Sequence, residues 1–146
     1  MEGSASRWVA LVAFGLLSTL PQTMSAAEPC KLLTVPEIGQ VLGVSVSPTP
    51  VGTTGCLWTG SSQRVSITLR DATAWARITA IAPGSKIIKT NMSGLGDAAQ
   101  YSGMQDTWTL SVKQGAGVIV LTVYGVTGER QRSVEESLAR LALRRL

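Results

Sequence analysis

The sequence predicts an α+β fold: an antiparallel β-sheet of about five to six strands flanked by helices, in the order α-β-β-α-β-β-β-α. Three observations predict this fold. Segments 34–43 and 128–146 carry apolar residues at helical spacing. Segment 64–70 alternates apolar with polar residues, as an antiparallel strand does when only one of its faces is buried. Segment 107–124 reads as a β-hairpin with the turn QGAG between its two arms.

The first helix is predicted by its capping residues. Thr34 is followed three residues later by Glu37, which is the spacing of a capping box at a helix N-terminus. Pro36 suits the first turn, and Gly43 suits the residue at which the helix ends. The face predicted to be buried consists of Val35, Ile38, Val41 and Leu42.

The next segments predict strands and a second helix. Residues 44–55 read as a brief strand followed by a loop rich in Pro, Gly and Thr, and residues 56–59 lead into a second strand candidate. After the alternating strand, segment 71–84 predicts a helix that Asp71 caps and that ends before Gly84. The apolar stripe predicted for this helix consists of Ala74, Trp75, Ile78, Ile81 and Ala82.

The stretch GLGDAAQY, residues 94–101, resembles a functional motif more than any other part of the chain. A phosphate-binding loop would need a helix directly after it, and the helix-forming residues that follow are soon interrupted by glycine. We therefore interpret the stretch as a turn in which Gly94 and Gly96 adopt positive φ or approach another backbone closely. Asp97 is expected to bond nearby backbone amides, while Leu95 fills the core.

The remainder predicts a central strand and a long helix. Residues 86–92 are a short strand candidate. Residues 118–124 are apolar on both faces, which predicts a central strand covered on both sides. In the last helix Ser133 and Glu136 have capping-box spacing, and a start near Thr127 is the alternative. The buried stripe of this helix is predicted to be Val134, Leu138, Leu141 and Ala142.

Residues 1–27 are predicted to be a signal peptide. Arg7 precedes the apolar run 8–20, which is too short to span a bilayer comfortably. Ser25 and Ala27 then place small residues where a cleavage site after Ala27 needs them. An uncleaved anchor or a buried helix is the alternative. The sequence thus predicts that residues 28–146 are exported, to the periplasm or outside the cell.

Residues 28–146 are predicted to form a single domain, which is large enough to bury one core. This part of the chain contains no Phe, so its core is expected to form from Val, Leu, Ile and Ala around three tryptophans. They are Trp58, Trp75 and Trp108.

The two cysteines, Cys30 and Cys56, predict a disulfide, because an even count in an exported chain is typical of a bridged pair. The alternative is that Cys30 carries a lipid anchor. That modification requires small residues directly before the cysteine, whereas Glu28 and Pro29 precede it here. The disulfide is therefore the favoured interpretation.

The composition excludes several catalytic classes. The chain has no histidine, which excludes Ser-His-Asp and Cys-His catalysis and His-containing zinc sites. Bridged cysteines cannot act as thiolate ligands. There is no Walker A pattern, no GxSxG elbow and no Ser-x-x-Lys pair. The sequence therefore predicts no catalytic residue, no metal site and no cofactor.

Two groups of charged residues remain as candidates. Asp97 and Asp106 are not explained as helix caps and could serve a carboxylate-dependent hydrolase, although nothing in the sequence brings them together. Arg140, Arg144 and Arg145 are the candidate surface-binding residues, within a last helix that also carries other arginines. They suit either an anionic envelope surface or a solvated helix face whose cations complement the helix dipole.

Three passages together resemble a known group of proteins. They are CKLLTVPEIGQVLG at residues 30–43, CLW at residues 56–58, and GLGDAAQY followed by the hairpin and a C-terminal helix. This layout resembles small exported bacterial proteins of unknown function, similar to the LpqN-type lipoproteins and the PsbP-like α/β/α sandwich. The resemblance implies a sheet with helices on both sides and a binding or accessory role. It implies no catalytic residue, and the missing lipid box departs from the lipoprotein members.

The sequence thus predicts an exported, non-enzymatic binding or accessory domain whose partner is an envelope protein or a small ligand. If so, the ligand site is expected on a sheet face or in a loop such as residues 48–55. Attachment to the envelope surface or to anionic lipid through the arginines of the last helix is the first alternative, and a hydrolase that uses Asp97 or Asp106 is the second. Nucleic acid is not an expected partner of an exported protein, and membrane contact is not favoured.

Overall fold

The computed structural model describes residues 28–146, so the predicted signal peptide and its cleavage site lie outside the described residues. The elements are, in chain order, α1 (Val35–Leu42), β1 (Ser47–Val51), β2 (Gly55–Thr59), β3 (Arg64–Asp71), α2 (Trp75–Thr79), β4 (Ile88–Met92), β5 (Ala98–Met104), β6 (Thr107–Gln114), β7 (Gly117–Tyr124) and α3 (Gly128–Leu143). The strands form one antiparallel sheet in the order β1-β2-β3-β7-β6-β5-β4. Short 3-10 turns precede α1 and α2.

The α+β class and the antiparallel sheet are confirmed, but the sheet has seven strands rather than five to six. The predicted element order is wrong for the same reason, because three strands precede α2 and four follow it. β1 runs through Pro48 and Pro50, in the segment that the sequence predicted as a loop. Proline is tolerated there because β1 is an edge strand, where one row of backbone N–H groups needs no partner.

The main core lies between one face of the sheet and the two longer helices, α1 and α3. We call this face the helix face and the other the open face. β7 lies at the centre of the sheet, and both of its faces are largely buried, as its apolar sequence predicted. The strand residues in the main core include Trp58, Val65, Ile67, Leu110, Val112, Ile119, Leu121 and Val123.

Only one of the three tryptophans expected in the core is fully buried. Trp58 is 0% exposed, whereas Trp75 and Trp108 are half-buried. Trp75 belongs to α2, which crosses the open face instead of the helix face. Trp108 packs at the margin of the main core.

The first helix is built as predicted. The Thr34 side chain accepts a hydrogen bond from the Glu37 backbone N–H, and the Glu37 carboxylate accepts one from the Thr34 backbone N–H at 2.8 Å. Gly43 ends the helix in the left-handed conformation with φ 75°. Ile38 and Leu42 are buried, whereas Val35 is exposed, so the predicted apolar face is only partly buried.

The second helix is shorter than predicted. Asp71 caps the segment, since its carboxylate accepts a hydrogen bond of 2.9 Å from the Thr73 backbone N–H. The α-helix nevertheless ends at Thr79, and Ile81 is 66% exposed instead of buried. Of the predicted stripe, Ala74 is buried and Trp75 and Ile78 are half-buried, whereas Ile81 and Ala82 are exposed, because the largely polar open face offers little apolar surface against which a longer helix could pack.

The last helix starts at Gly128 with Thr127 as its N-cap residue, so the alternative start is the observed one. The predicted stripe is buried at Val134, Leu138 and Ala142 and half-buried at Leu141.

Among residues 28–146, no helix has both the length and the apolar character needed to cross a membrane.

The predicted disulfide is present. Cys30 and Cys56 are bonded, with their Cα atoms 5.1 Å apart, and Cys56 is completely buried. The bridge ties the turn before α1 to strand β2. Neither cysteine is a free thiol in the structure.

Candidate functional site

The open face of the sheet is crossed by α2, whose C-terminal end is fixed to strand β4. The Lys89 ammonium donates hydrogen bonds to the carbonyl oxygen of Ile78, at 2.6 Å, and to that of Ala80. Carbonyl groups at a helix C-terminus lack partners within the helix and carry a partial negative charge, which a lysine complements. Lys89 therefore holds α2 against the sheet at one place.

The GLGD loop, residues 94–97, faces α2 across a cleft. Gly94 and Gly96 both have positive φ, at 76° and 58°, and Leu95 is buried in the main core. The Asp97 backbone N–H donates to the carbonyl oxygen of Lys113 at 2.8 Å, and its carboxylate accepts a bond of 2.7 Å from the N–H of Gly115. These bonds confirm the turn predicted from the sequence and fasten it to the β6–β7 hairpin.

No helix follows the GLGD loop. Ala98 begins strand β5, so the loop lacks the helix N-terminus with which phosphate loops bind their anion. Within the loop the charged side chain is the Asp97 carboxylate, and the Arg140 guanidinium that reaches the loop is bonded to the Gly94 carbonyl oxygen and to Glu136. The structure thus agrees with the interpretation of this stretch as a turn.

The cleft between α2 and the GLGD loop has a volume of about 750 Å³, which lies in the range of small-molecule sites. Its walls mix apolar and polar side chains. The apolar ones include Trp75, Ile81 and Met92, and the polar ones include Thr79, Asn91, Ser93, Asp97 and Gln100. We call this space the α2 cleft.

Two amide side chains form part of the wall of the α2 cleft. Gln100 donates a hydrogen bond of 3.0 Å to the Asn91 side-chain oxygen across strands β4 and β5. Gln100 is only 7% exposed, and its own side-chain oxygen has no partner among the described residues. The one ionisable side chain of the lining is Asp97. The α2 cleft therefore offers hydrogen-bonding groups and a single negative charge, but no cation.

The three arginines predicted to bind a surface have different environments. Arg140 forms a 2.6 Å ion pair with Glu136 and donates to the Gly94 carbonyl oxygen at 3.0 Å. Arg145 donates to both carboxylate oxygens of Glu37, at 2.9 and 2.7 Å. Arg144 is exposed, and within residues 28–146 its side chain has no ion pair. Two of the three arginines therefore join parts of this chain to one another.

The Arg145–Glu37 pair links the end of α3 to the start of α1, and the Arg145 guanidinium also donates to the Leu32 carbonyl oxygen at 3.0 Å. The hydrogen bond from Arg145 lowers the pKa of Glu37 to about 2, with a smaller contribution from the capping bonds of Thr34. A lowered pKa stabilises the fold above the ordinary pKa of 4.5, and this contribution is lost as pH falls toward 2.

We expect Arg145→Gln to lower the urea midpoint of unfolding slightly at neutral pH, since the pair is partly exposed and screened by solvent. Arg144→Gln, one position away, is the matched control and is expected to leave the midpoint unchanged. The difference between the two variants should shrink as pH falls toward 2, where Glu37 becomes protonated. Equal midpoints at pH 7 would show that the pair contributes nothing to stability.

Asp97 and Asp106 are not brought together. Asp97 directly precedes β5, and Asp106 lies in the turn after it. A strand of this length separates its two ends by ~20 Å, whereas the two carboxyl groups of a glycosidase lie within about 10 Å of each other. Within residues 28–146, no three Asp, Glu, His or Cys side chains are grouped so that they could hold a metal ion.

A second polar group, which the sequence reading missed, is buried under α3. Gln131 and Glu135 are 1% and 0% exposed, although they lie on the same face of the helix as Val134 and Leu138. Tyr101 donates from its hydroxyl to the Arg132 carbonyl oxygen beside them at 2.7 Å. Their burial could have been predicted from helical spacing, because Gln131 and Glu135 are four residues apart and fall on the same face of the helix as the apolar stripe.

Comparisons of the chain with protein families, curated proteins and solved structures find no match.

Proposed function

We propose that this protein is an exported, non-enzymatic binding domain whose ligand occupies the α2 cleft. The observation that carries the proposal is the α2 cleft itself, which has the size and the mixed lining of a small-molecule site. It lies on a sheet whose opposite face is closed by a continuous core, so its walls are held by a rigid scaffold. The disulfide supports export, because such bonds persist in oxidising compartments.

The lining of the α2 cleft defines the chemistry of the ligand. Trp75, Ile81 and Met92 offer apolar surface, and the carboxylate and amide oxygens offer acceptors. The lining holds one carboxylate and no cation, and the two cations next to it, Lys89 and Arg140, are already bonded to backbone carbonyl oxygens, so the lining favours a neutral or cationic ligand over an anion. The proposed ligand is therefore neutral or cationic, presents hydrogen-bond donors, and has an apolar face that packs against the tryptophan.

A thermal-shift screen with neutral, cationic and anionic small molecules tests the proposal. We expect saccharides or amines to raise the unfolding temperature, and carboxylates and phosphates to have no effect, since only a ligand that binds the native state stabilises it. A screen in which no neutral or cationic compound acts, or in which anions act best, would count against the α2 cleft as the site.

A matched pair of variants locates the binding. Ile81 and Ile88 are both exposed, at 66% and 57%, but only Ile81 lines the α2 cleft. Ile81→Arg is expected to weaken binding by about tenfold or more, because it places a long cationic side chain at the mouth of the cleft. Ile88→Arg should bind like the wild type. Equal loss in both variants would place the binding elsewhere.

The two alternatives receive less support. Arg140 and Arg145 already have partners within the chain, so attachment to an anionic surface would depend mainly on the remaining arginines. A hydrolase would have to work with Asp97 or Asp106 alone, since β5 separates them. The relation to LpqN-type and PsbP-like proteins stays a prediction; helices on both faces of the sheet are the feature that supports it.

A further inference from the structure

Strands β6 and β7 separate at one end. Their ladder runs from Gln114↔Gly117 to Leu110↔Leu121 and stops there, although both strands continue. Beyond that point Trp108 remains paired with β5 and Val123 remains paired with β3. We call the gap between Trp108 and Val123 the seam. Backbone groups that face the seam have lost their ladder partners and need others.

Two side chains of α3 fill the seam. The Gln131 side-chain N–H₂ group donates to the Trp108 carbonyl oxygen at 3.2 Å and to the Val123 carbonyl oxygen at 3.0 Å. Glu135 accepts a bond of 3.0 Å from the Val123 backbone N–H on its Oε1 atom. Gln131 also donates to the same Oε1 at 3.1 Å. The amide and the carboxyl group thus supply partners for the Trp108 carbonyl and for both backbone groups of Val123.

If Glu135 is ionised, this cluster contains more hydrogen-bond acceptors than donors. The two Gln131 N–H groups and the Val123 N–H face five acceptor oxygens, which are the two backbone carbonyls, the two Glu135 oxygens and Gln131 Oε1. Gln131 Oε1 and Glu135 Oε2 are both buried, and neither has a partner among the described residues. A proton on Glu135 Oε2 turns one acceptor into a donor, and the acceptor we assign to it is the unpartnered Gln131 Oε1, since the Nε2 of the same amide already bonds the Glu135 carboxyl group.

The lack of a cation bonded to Glu135 within the described part of the chain also favours the neutral acid. Within residues 28–146, no cation forms an ion pair with Glu135. Arg132, the basic residue nearest in α3, places its guanidinium over the rings of Trp108, at 4.6 Å, and Tyr101, at 5.6 Å. The neighbouring Glu136 pairs with Arg140 on the exposed side of the helix. A buried carboxylate without a cation is costly, so the group protonates instead.

The other elements packed against α3 bring no charge to the seam. Tyr101 of β5 is the titratable group that faces it, and burial raises the pKa of its hydroxyl, so it stays neutral. Lys113 of β6 and Tyr124 of β7 belong to the open face, on the far side of the sheet. On α1, Glu37 is bonded to Arg145 at the other end of α3.

We propose that Glu135 holds a proton in the folded protein and, as a neutral acid paired with Gln131, closes the seam between β6 and β7. The seam is thus a proton-binding site that makes the fold more stable in mildly acidic than in alkaline surroundings. Burial raises the pKa of this carboxyl group to about 7, against the opposing effects of the bonds from Val123 and Gln131 and of the charge on Arg132.

The sign of the pH dependence follows from the raised pKa. A carboxyl group whose pKa is 4.5 when unfolded and about 7 when folded stabilises the fold fully below 4.5, and this stabilisation is lost as pH rises through 7. Between pH 5 and pH 8 its contribution to the folding equilibrium constant falls roughly 70-fold. The chain has no histidine whose titration would overlap this window.

Urea unfolding between pH 5 and pH 8 tests the proposal with three proteins. The wild type is expected to lose stability as pH rises. Glu135→Gln should remove this loss, because its amide oxygen can accept from Val123 and its N–H₂ group can donate to Gln131 without titrating. Glu136→Gln is the control, since Glu136 is adjacent but partly exposed, and it should follow the wild type.

Carbon-13 NMR of the glutamate carboxyl groups supplies a second measurement that needs no variant. We expect the Glu135 resonance to titrate near pH 7. A midpoint near 4.5 would overturn the proposal, and so would a Glu135→Gln profile parallel to that of the wild type. If Glu135→Gln does not fold, the titration of the wild-type protein decides the question.

Discussion

Gly96→Ala is expected to lower the free energy of unfolding by about 3 kcal/mol. The added Cβ atom makes the left-handed backbone conformation unfavourable, and it also clashes with neighbouring atoms. Gly96 has φ 58°, a conformation that L-residues adopt only at a cost. In addition, a Cβ atom there would lie 2.6 Å from the Lys113 carbonyl oxygen and 2.7 Å from a methyl carbon of Val112. Neither contact can relax easily, since the first atom is backbone and the second belongs to the buried core.

Gly94→Ala separates the cost of the left-handed backbone from the cost of the steric clash. Gly94 has φ 76°, yet a Cβ atom there would meet nothing within 4 Å. This variant should therefore show only the cost of the left-handed backbone, about 1 kcal/mol. Asp97→Asn should cost less than about 1 kcal/mol, because an amide oxygen can still accept the bond from Gly115. Urea unfolding measures all three, and equal losses at Gly94 and Gly96 would contradict the close approach to β6.

Removal of the disulfide is expected to cost about 3–4 kcal/mol, the value that the chain-entropy model gives for a loop of this length. The bridge spans 26 positions and holds the segment with Leu32 and Leu33, both 1% exposed, against the sheet. Without it, the unfolded chain gains freedom and the N-terminal segment is held by packing alone. The double variant Cys30→Ala and Cys56→Ala is preferred to serine, because a hydroxyl at position 56 would be completely buried.

Reductant provides the control for the disulfide. Dithiothreitol should lower the thermal midpoint of the wild type to near that of the double alanine variant, and it should leave the variant itself unchanged. A wild-type midpoint that does not respond to reductant, together with a free-thiol mass, would show that the bridge is not formed. Alkylation and mass measurement distinguish a bridge that resists reduction from one that is absent.

The α2 cleft and the seam occupy opposite faces of the same sheet and respond to different variants. Ile81→Arg changes the α2 cleft without touching α3, and Glu135→Gln changes the seam without touching the lining of the cleft. A failed ligand screen would therefore leave the titration of Glu135 intact as a property of the fold. Conversely, a Glu135 midpoint near 4.5 would leave the binding proposal untouched.

Several features could be predicted because their causes are local in the chain. The capping box of Thr34 and Glu37 spans three residues, and it forms as predicted. The central place of β7 followed from its apolar residues on both faces, and the Cys30–Cys56 bridge followed from the even count. The turn at Gly94–Asp97 followed from its glycines, although the amide that Asp97 bonds lies 18 residues further on.

By itself, then, the sequence determined the α+β class, the capping of α1, the disulfide and the turn, since each depends on residue type and short spacing. The tertiary structure alone decided that Ala98–Met104 is a strand, because its weak apolar pattern is completed by ladders to β4 and β6. It also placed α2 over the open face, which forms the cleft, and set Glu135 against the unpaired backbone of Val123. Burial and hydrogen-bond partners of these residues come from strands distant in the chain, which no local pattern encodes.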